Sequence, residues 1–235
     1  MSLPFRGAAP PSQQPLTALG LPQEEHFAAR PTLPLPIPEP LKSLLVDDWE
    51  NITKNLQLIP LPHPKATVRN ILVAWQMHEY TRRVNPTDRQ ILEEVINGVE
   101  EYFNRCLGRI LLYRLERQQW LEVLESMESA AAEKGASPAV EKKKKKAKDG
   151  ESSVDPAAFM GKKPSQVYGA EHLTRLLVTL PELIAQTNMD QAAVGRLKEE
   201  VESLAKYMCG LREDIFVKEY ENAGQNYLAR VKGGY

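Results

Sequence analysis

The sequence predicts an all-α protein, a helical bundle with a proline-rich N-terminal tail and a flexible internal insertion. In several segments, apolar residues recur at the three- and four-residue spacing of amphipathic helices. Proline, glycine and asparagine separate these segments, and no segment shows a convincing strand pattern. Hydrophobic residues make up 42% of the chain and charged residues 26%, which is typical of a soluble globular protein.

Composition excludes several classes of protein. The net charge of −1 gives the whole molecule no general attraction for nucleic acid or an anionic membrane. We find no apolar run near the roughly 20 residues that cross a bilayer, and no signal peptide before Pro40. Two cysteines, Cys106 and Cys209, cannot form a disulfide framework, so we expect an intracellular protein.

Residues 1–36 are predicted to form an extended or disordered tail, because their prolines fix φ and remove backbone donors. The first helix should begin at Pro40 or just before it, since proline suits the first helical turn. Further prolines predict a loop from about 57 to 66. The apolar positions of this helix are Leu41, Leu44, Leu45, Trp49 and Ile52.

The next two helices have recognisable start signals. Thr67 can cap the second helix, and Thr87 with Gln90 resembles a capping box that would open the third. Gly108 is the expected interruption after that helix. The third helix has the strongest periodic pattern, and its apolar face is Ile91, Leu92, Val95, Ile96, Val99, Tyr102, Phe103, Cys106 and Leu107.

The second half of the chain predicts more helices around an insertion. A short helix around Trp120 should precede a flexible lysine-rich insertion at 129–163, where periodicity disappears. Pro181 should interrupt the helix that follows, and the last long helix should start near Asp190. We therefore expect a helical domain at 37–225 and a C-terminal tail at 226–235.

No motif for an enzyme is recognisable. The sequence contains no glycine-rich phosphate loop, zinc-binding His-Glu-x-x-His helix or Gly-x-Ser-x-Gly elbow. Asp47 and Asp48 point about 100° apart on a helix, so we expect solvated charges instead of a proton-sharing pair. Cys106 and Cys209 lie on apolar faces and have no electropositive setting, even if His78 or His172 were near. We predict no catalytic, cofactor-binding or metal site.

The lysine run is the one basic patch, and three interpretations stay open. It can be a solvated linker, a nuclear import signal or a non-specific phosphate contact. It has no interleaved aromatic residues, which argues against sequence-specific recognition of nucleic acid. The run consists of Lys142, Lys143, Lys144, Lys145 and Lys146.

The first helix carries more apolar surface than packing on one core requires. Leu44, Leu45 and Val46 are consecutive, so their side chains span about 200° of the helix. Trp49 adds a large aromatic side chain to the same element. Either the helix is buried on nearly all sides, or one edge is open to a partner.

Four segments, in this order, resemble the MRG (mortality-factor-related) domain family. The first runs from Ile37 to Trp49 and ends in Leu-Val-Asp-Asp-Trp. The third contains Ser-Gln-Val-Tyr-Gly-Ala at 165–170, which would rarely occur together with the first by chance. The second segment consists of Glu101-Tyr102-Phe103-Asn104 with Leu111 to Arg117, and the fourth is Leu204-Ala205-Lys206-Tyr207.

The resemblance implies an all-helical nuclear adaptor that recruits proteins to histone acetyltransferase and histone deacetylase complexes. Members of the family hold partner segments, often containing Phe-x-Leu-Pro, in a hydrophobic groove. This similarity favours an open edge on the first helix. By the same similarity the groove should be lined by Ile37, Leu45, Val46 and Trp49, with His172, Arg175 and Leu176 on an adjoining helix.

Two departures from the family pattern affect the expected partners. Family members commonly carry a chromo-barrel, which this sequence lacks, so this chain alone should not read methylated lysine. The insertion at 129–163 is longer than usual for the family. The tail contains apolar-proline pieces, and one hypothesis is that it occupies the groove as an internal ligand. The alternative functions are non-specific nucleic-acid binding through the lysine run and, less favoured, a helical enzyme.

Overall fold

A computed structural model describes residues 35–133 and 161–233 of the chain. These ranges are mainly helical, which confirms the predicted all-α class. The α-helices are α1 (Glu39–Thr53), α2 (Val68–Arg82), α3 (Pro86–Cys106), α4 (Glu116–Glu133), α5 (Ala170–Ala185), α6 (Gln191–Gly210), α7 (Arg212–Ile215) and α8 (Gln225–Gly233). The predictions for the N-terminal tail up to residue 34 and for the lysine run lie outside the described residues.

Short elements connect the helices. A π-helical segment, Leu107–Leu111, follows α3, and a 3-10 turn, Pro164–Gln166, precedes α5. Strand β1 (Gln57–Leu58) pairs antiparallel with β2 (Glu221–Asn222). This pairing brings a segment near the C-terminus beside the end of α1.

Local capping explains where the first helices begin. α1 has Pro40 in its first turn, as predicted. The Thr67 side chain accepts a hydrogen bond from the Asn70 amide at 3.3 Å, so this cap is confirmed. The prediction that Thr87 opens the third helix was wrong. Asn85 accepts from the Thr87 amide at 3.0 Å and Pro86 is already helical, because asparagine caps well and proline suits the first position.

Three other boundaries differ from the sequence prediction. Pro181 lies inside α5, which continues to Ala185, and α4 extends to Glu133. Residues 226–233, assigned above to a tail, belong to α8. The reason is Tyr227, whose buried hydroxyl accepts a hydrogen bond from the Gln119 amide at 3.1 Å and donates to the Leu115 carbonyl. Leu228 and Val231 pack against the same apolar cluster, so Tyr227 and these two side chains attach α8 to the bundle.

α5 is the central helix of the bundle. Every residue from Ala170 to Leu177 is buried, so this part of the helix contacts neighbours on all sides. The main core includes Trp75 from α2, Phe103 from α3 and Leu204 from α6. A second, smaller apolar cluster consists of Ile52, Leu58, Ile59, Leu115 and Tyr227.

The start of α5 is fixed by a buried histidine. A Cβ atom on Gly169 would lie 2.1 Å from Cδ2 of His63, so only glycine fits there. His63 accepts from the Ala66 amide through Nδ1 at 3.1 Å, so its Nε2 donates to Glu171 at 2.9 Å. The Val217 amide also donates to Glu171, at 2.7 Å. Burial alone would raise the pKa of Glu171, but these hydrogen bonds lower it.

Candidate functional site

The outer edge of α1 exposes large apolar side chains. Val46 is 56% exposed and Trp49 is 43% exposed, while Leu45 is half-buried. The Lys54 ammonium group lies 4.8 Å from the centre of the Trp49 ring, a cation–π contact at the surface. Of the two arrangements that the sequence left open for α1, the structure therefore has the exposed edge.

A cleft of about 200 Å³ opens beside this edge, between α1, the π-helical segment and α5. Ile110 and Val178 are 48% and 46% exposed in it, whereas Leu111 and Leu112 are buried. We call the cleft and the adjoining edge of α1 the Trp49 groove. The residues that line the cleft are Leu45, Ile110, Leu111, Leu112, Tyr113, Arg175, Val178 and Thr179.

The π-helical segment is held against α4 by close packing. A Cβ atom on Gly108 would lie 2.4 Å from Nε1 of Trp120, which shows that the indole covers the glycine backbone. The helical geometry ends at Leu112, which has extended φ and ψ angles of −100° and 131°. This close approach fixes the position from which Ile110 reaches the groove.

A buried ionic network lies beneath the groove and is centred on Arg175. Its Nη2 lies 2.7 Å from Oδ2 of Asp48 on α1, and its Nη1 lies 2.7 Å from Oε2 of Glu116 on α4. Nη1 also donates to the Leu111 carbonyl at 2.8 Å, and the guanidinium carbon lies 4.2 Å from the centre of the Tyr113 ring. One side chain therefore ties together three elements that border or support the groove.

Asp48 corrects an expectation from the sequence. We expected Asp47 and Asp48 to be solvated, and Asp47 is exposed, but Asp48 is only 1% exposed. Besides Arg175, it accepts a hydrogen bond from the Tyr220 hydroxyl at 2.9 Å. Its partners lie more than 100 residues away along the chain, so local periodicity gave no sign of them.

The two carboxylates in this network titrate differently. Burial raises the pKa of Asp48, although Arg175 opposes the shift. Burial alone would also raise the pKa of Glu116, but Arg175 and the hydrogen bond from His172 hold it at about 2. The two carboxylates raise the pKa of Arg175 against the effect of burial. Arg175 therefore outweighs the effect of burial on the pKa of Glu116, whereas burial outweighs the effect of Arg175 on the pKa of Asp48.

The seven residues predicted for the groove are distributed unevenly. Leu45 and Arg175 line the cleft, and Val46 and Trp49 form the exposed edge of α1. The other three lie elsewhere. Ile37 is half-buried just before α1 and packs against the core, Leu176 is fully buried in the core, and the buried His172 binds Glu116 through Nε2 at 2.9 Å.

Sequence reasoning missed the opposite wall of the cleft. Ile110 lies in a short apolar run after Gly108, and Val178 directly follows Leu176 and Leu177; neither was considered as a lining residue. Only the placement of the π-helical segment and of α5 shows that both side chains reach the surface.

The described residues contain no group of His, Cys, Asp and Glu side chains arranged to hold a metal ion. Within the same ranges, every helix is too short or too polar to cross a bilayer.

The chain is similar to known chromatin proteins. The family model described as MRG matches residues 16–222, a match that begins inside the segment assigned to the tail. The chromatin modification-related protein eaf3 of Aspergillus fumigatus is 41% identical over 211 residues, which are 90% of this chain and 56% of that protein. The protein of the same name from Saccharomyces cerevisiae is 36% identical over 200 residues, 84% of this chain and 41% of that protein.

A third relative has a different printed name. The NuA4 complex subunit EAF3 homolog of Dictyostelium discoideum is 30% identical over 207 residues, which cover 88% of this chain and 44% of that protein. The chain thus spans about half the length of the curated relatives it matches.

Proposed function

This chain belongs to the MRG family, and from that premise we propose that it is a non-catalytic adaptor which docks partner proteins in the Trp49 groove. The observation that carries the proposal is the exposed apolar edge of α1, with Val46 and Trp49 beside an open cleft. Exposed apolar surface of this kind marks interaction sites in soluble proteins.

The names of the relatives support the setting of this adaptor. Two are called chromatin modification-related proteins, and one is called a subunit of the NuA4 complex. We infer that the chain acts in the nucleus as a subunit of a chromatin-modifying complex. The finer proposal is that it recruits partners to histone acetyltransferase and histone deacetylase complexes, through helical or Phe-x-Leu-Pro-like segments.

Different residues of the Trp49 groove bind the partner and hold the shape of the groove. An apolar partner segment would gain about 25 cal/mol for each Å² of apolar surface removed from water, before ordering costs. Trp49 is the natural anchor, because exposed indoles that become buried dominate many interfaces. The pair formed by Arg175 and Glu116 keeps the cleft walls in place and leaves the exposed rim free for contact.

Replacement of Trp49 tests the proposal. Trp49→Ala should weaken the binding of a synthetic Phe-x-Leu-Pro peptide by about 2 kcal/mol or more, because the largest exposed apolar group of the groove is removed. Isothermal titration calorimetry measures the affinity. Circular dichroism and thermal unfolding should change little, since the side chain is 43% exposed.

Met77→Ala is the matched control, because Met77 is 63% exposed on α2 and does not line the cleft. It should bind the peptide like the wild type. Equal affinities for the wild type and Trp49→Ala would remove Trp49 from the site. A similar loss in both variants would show non-specific apolar adhesion.

A further inference from the structure

A second apolar groove, larger than the cleft beside Trp49, lies on another part of the bundle. Its volume is about 560 Å³, and it opens between α3, the end of α5 and the start of α6. α3 contributes Ile91, Val95, Gly98 and Tyr102, which extend over three helical turns or about 17 Å. We call it the Tyr102 groove.

The groove presents apolar side chains to solvent. Tyr102 is 38% exposed and Met189 is 42% exposed, and Leu180 and Ile184 of α5 form part of the wall. Tyrosine is one of the residues on which binding energy concentrates at protein interfaces. An aromatic ring at the mouth of an apolar groove of this size indicates a binding surface.

Gly98 adds open space to the lining of the groove. Glycine inside a helix costs about 1 kcal/mol relative to alanine, yet the described part of the chain gives no reason for it. A Cβ atom built on Gly98 meets no atom within 4 Å, and the residue has no positive φ. The missing side chain leaves open space in the groove, which a partner can fill closely.

The charged residues that line the Tyr102 groove indicate which kind of partner it binds. Glu94 lines the groove, is exposed, and forms no ion pair with any residue in the described ranges. Arg196, the cation of the lining, is already bound by acidic residues of its own chain. Its Nη2 lies 3.0 Å from Glu200 and 3.2 Å from Asp88, and its Nη1 lies 3.4 Å from Glu199. The available charge at the rim is therefore negative.

We propose that the Tyr102 groove docks an amphipathic helix of a partner protein, with an apolar face that carries a lysine or arginine at its edge. The groove runs along α3 between two further helix segments, which suits a helix that presents apolar residues at i, i+4 and i+7. The basic residue would pair with Glu94, and the partner backbone would lie over Gly98. This surface is separate from the Trp49 groove and does not depend on the adaptor proposal.

Gly98→Leu places a side chain in the groove, and its Cβ atom starts in open space. The probe is a display library of random 18-residue peptides, selected on the full chain and counter-selected on Gly98→Leu. Selected peptides should have apolar residues at helical spacing with a flanking Lys or Arg. Fluorescence anisotropy should show at least tenfold weaker binding to Gly98→Leu and to Glu94→Lys, and no change with Trp49→Ala.

Gly195→Leu is the matched control, because Gly195 lies in α6, also has open space at its Cβ position, and does not line the groove. It should bind the peptides like the wild type. A selection that yields no Gly98-dependent peptide, or only acidic ones, would overturn the proposal. Two other occupants of the groove would also overturn it. One is a second copy of the chain, which would appear as a wild-type dimer that Gly98→Leu dissociates. The other is the segment 1–34, whose deletion would then be required before any peptide binds.

Discussion

The Trp49 groove and the Tyr102 groove are stabilised by different interactions. Beneath the first lies a buried network in which Arg175 joins Asp48 and Glu116 from two other helices. The second has an apolar wall and an open glycine, and its one cation, Arg196, pairs at the edge. The shape of the Trp49 groove therefore depends on buried charges that must stay paired, whereas packing of whole helices shapes the Tyr102 groove.

The largest effect should come from Arg175→Met, which leaves two buried carboxylates without their cation. Removing one partner of a buried ion pair costs about 3–5 kcal/mol. We expect a loss of that size in the free energy of unfolding, measured by urea denaturation at neutral pH. The exposed pair Arg105–Glu101 provides the control, because Arg105→Met should cost less than about 0.5 kcal/mol. Similar losses in both variants would contradict the contrast between the grooves.

An effect of intermediate size on the free energy of unfolding should appear when the pH is lowered. The pKa of Glu116 is about 2 in the folded chain, below its ordinary value of 4.5. A carboxylate with a lowered pKa stabilises the fold above its unfolded value, and that contribution is lost as the pH falls towards 2. The titration of Asp48 has the opposite effect on stability. Its pKa is raised by burial, so the folded chain binds this proton at a higher pH than the unfolded chain does.

Glu116→Gln isolates the effect of Glu116. The difference in unfolding free energy between wild type and variant should shrink by roughly 2 kcal/mol between pH 6 and pH 3. Urea titrations at both pH values measure it. A constant difference would mean that Glu116 does not titrate with a lowered pKa.

The smallest effect compares a glycine of the Tyr102 groove with a glycine of the π-helical segment that borders the Trp49 groove. Gly98→Ala should raise the free energy of unfolding by about 0.5–1 kcal/mol, because alanine favours the helix and its Cβ atom meets nothing. Gly108→Ala should lower it, since the new atom would lie 2.4 Å from the Trp120 indole. Thermal unfolding of the two variants gives shifts of opposite sign. Shifts of the same sign would remove the distinction between an open and a packed glycine.

The parts of this molecule that could be predicted from sequence are those encoded locally. The helical class, the cap at Thr67 and the apolar excess on α1 follow from spacing and from the chemistry of single residues. The resemblance to the MRG family added the groove, and the family match confirms that membership. The predicted lining residues that lie in the core, such as Leu176, show that a motif identifies a helix better than the face it exposes.

Contacts between residues that are distant in the chain could not be predicted from the sequence. Asp48 binds Arg175, which is 127 positions away, and a charge on a helix gives no sign of a partner at that separation. α8 was missed because its partner Gln119 lies 108 residues from Tyr227, and the Tyr102 groove appears only when three helices meet. Each of these features depends on tertiary packing, which period and propensity do not encode.

The pairing of β1 with β2 has a consequence for synthesis of the chain. α1 is synthesised well before Tyr220 and Glu221, because Tyr220 follows its partner Asp48 by 172 residues and Glu221 pairs with Leu58 of β1. A nascent chain therefore carries Asp48 without the Tyr220 hydroxyl group, and β1 without its partner strand, until residues 220–222 have been translated. A premature stop before residue 220 would release a product in which that aspartate lacks its tyrosine, a target for chaperones and proteases.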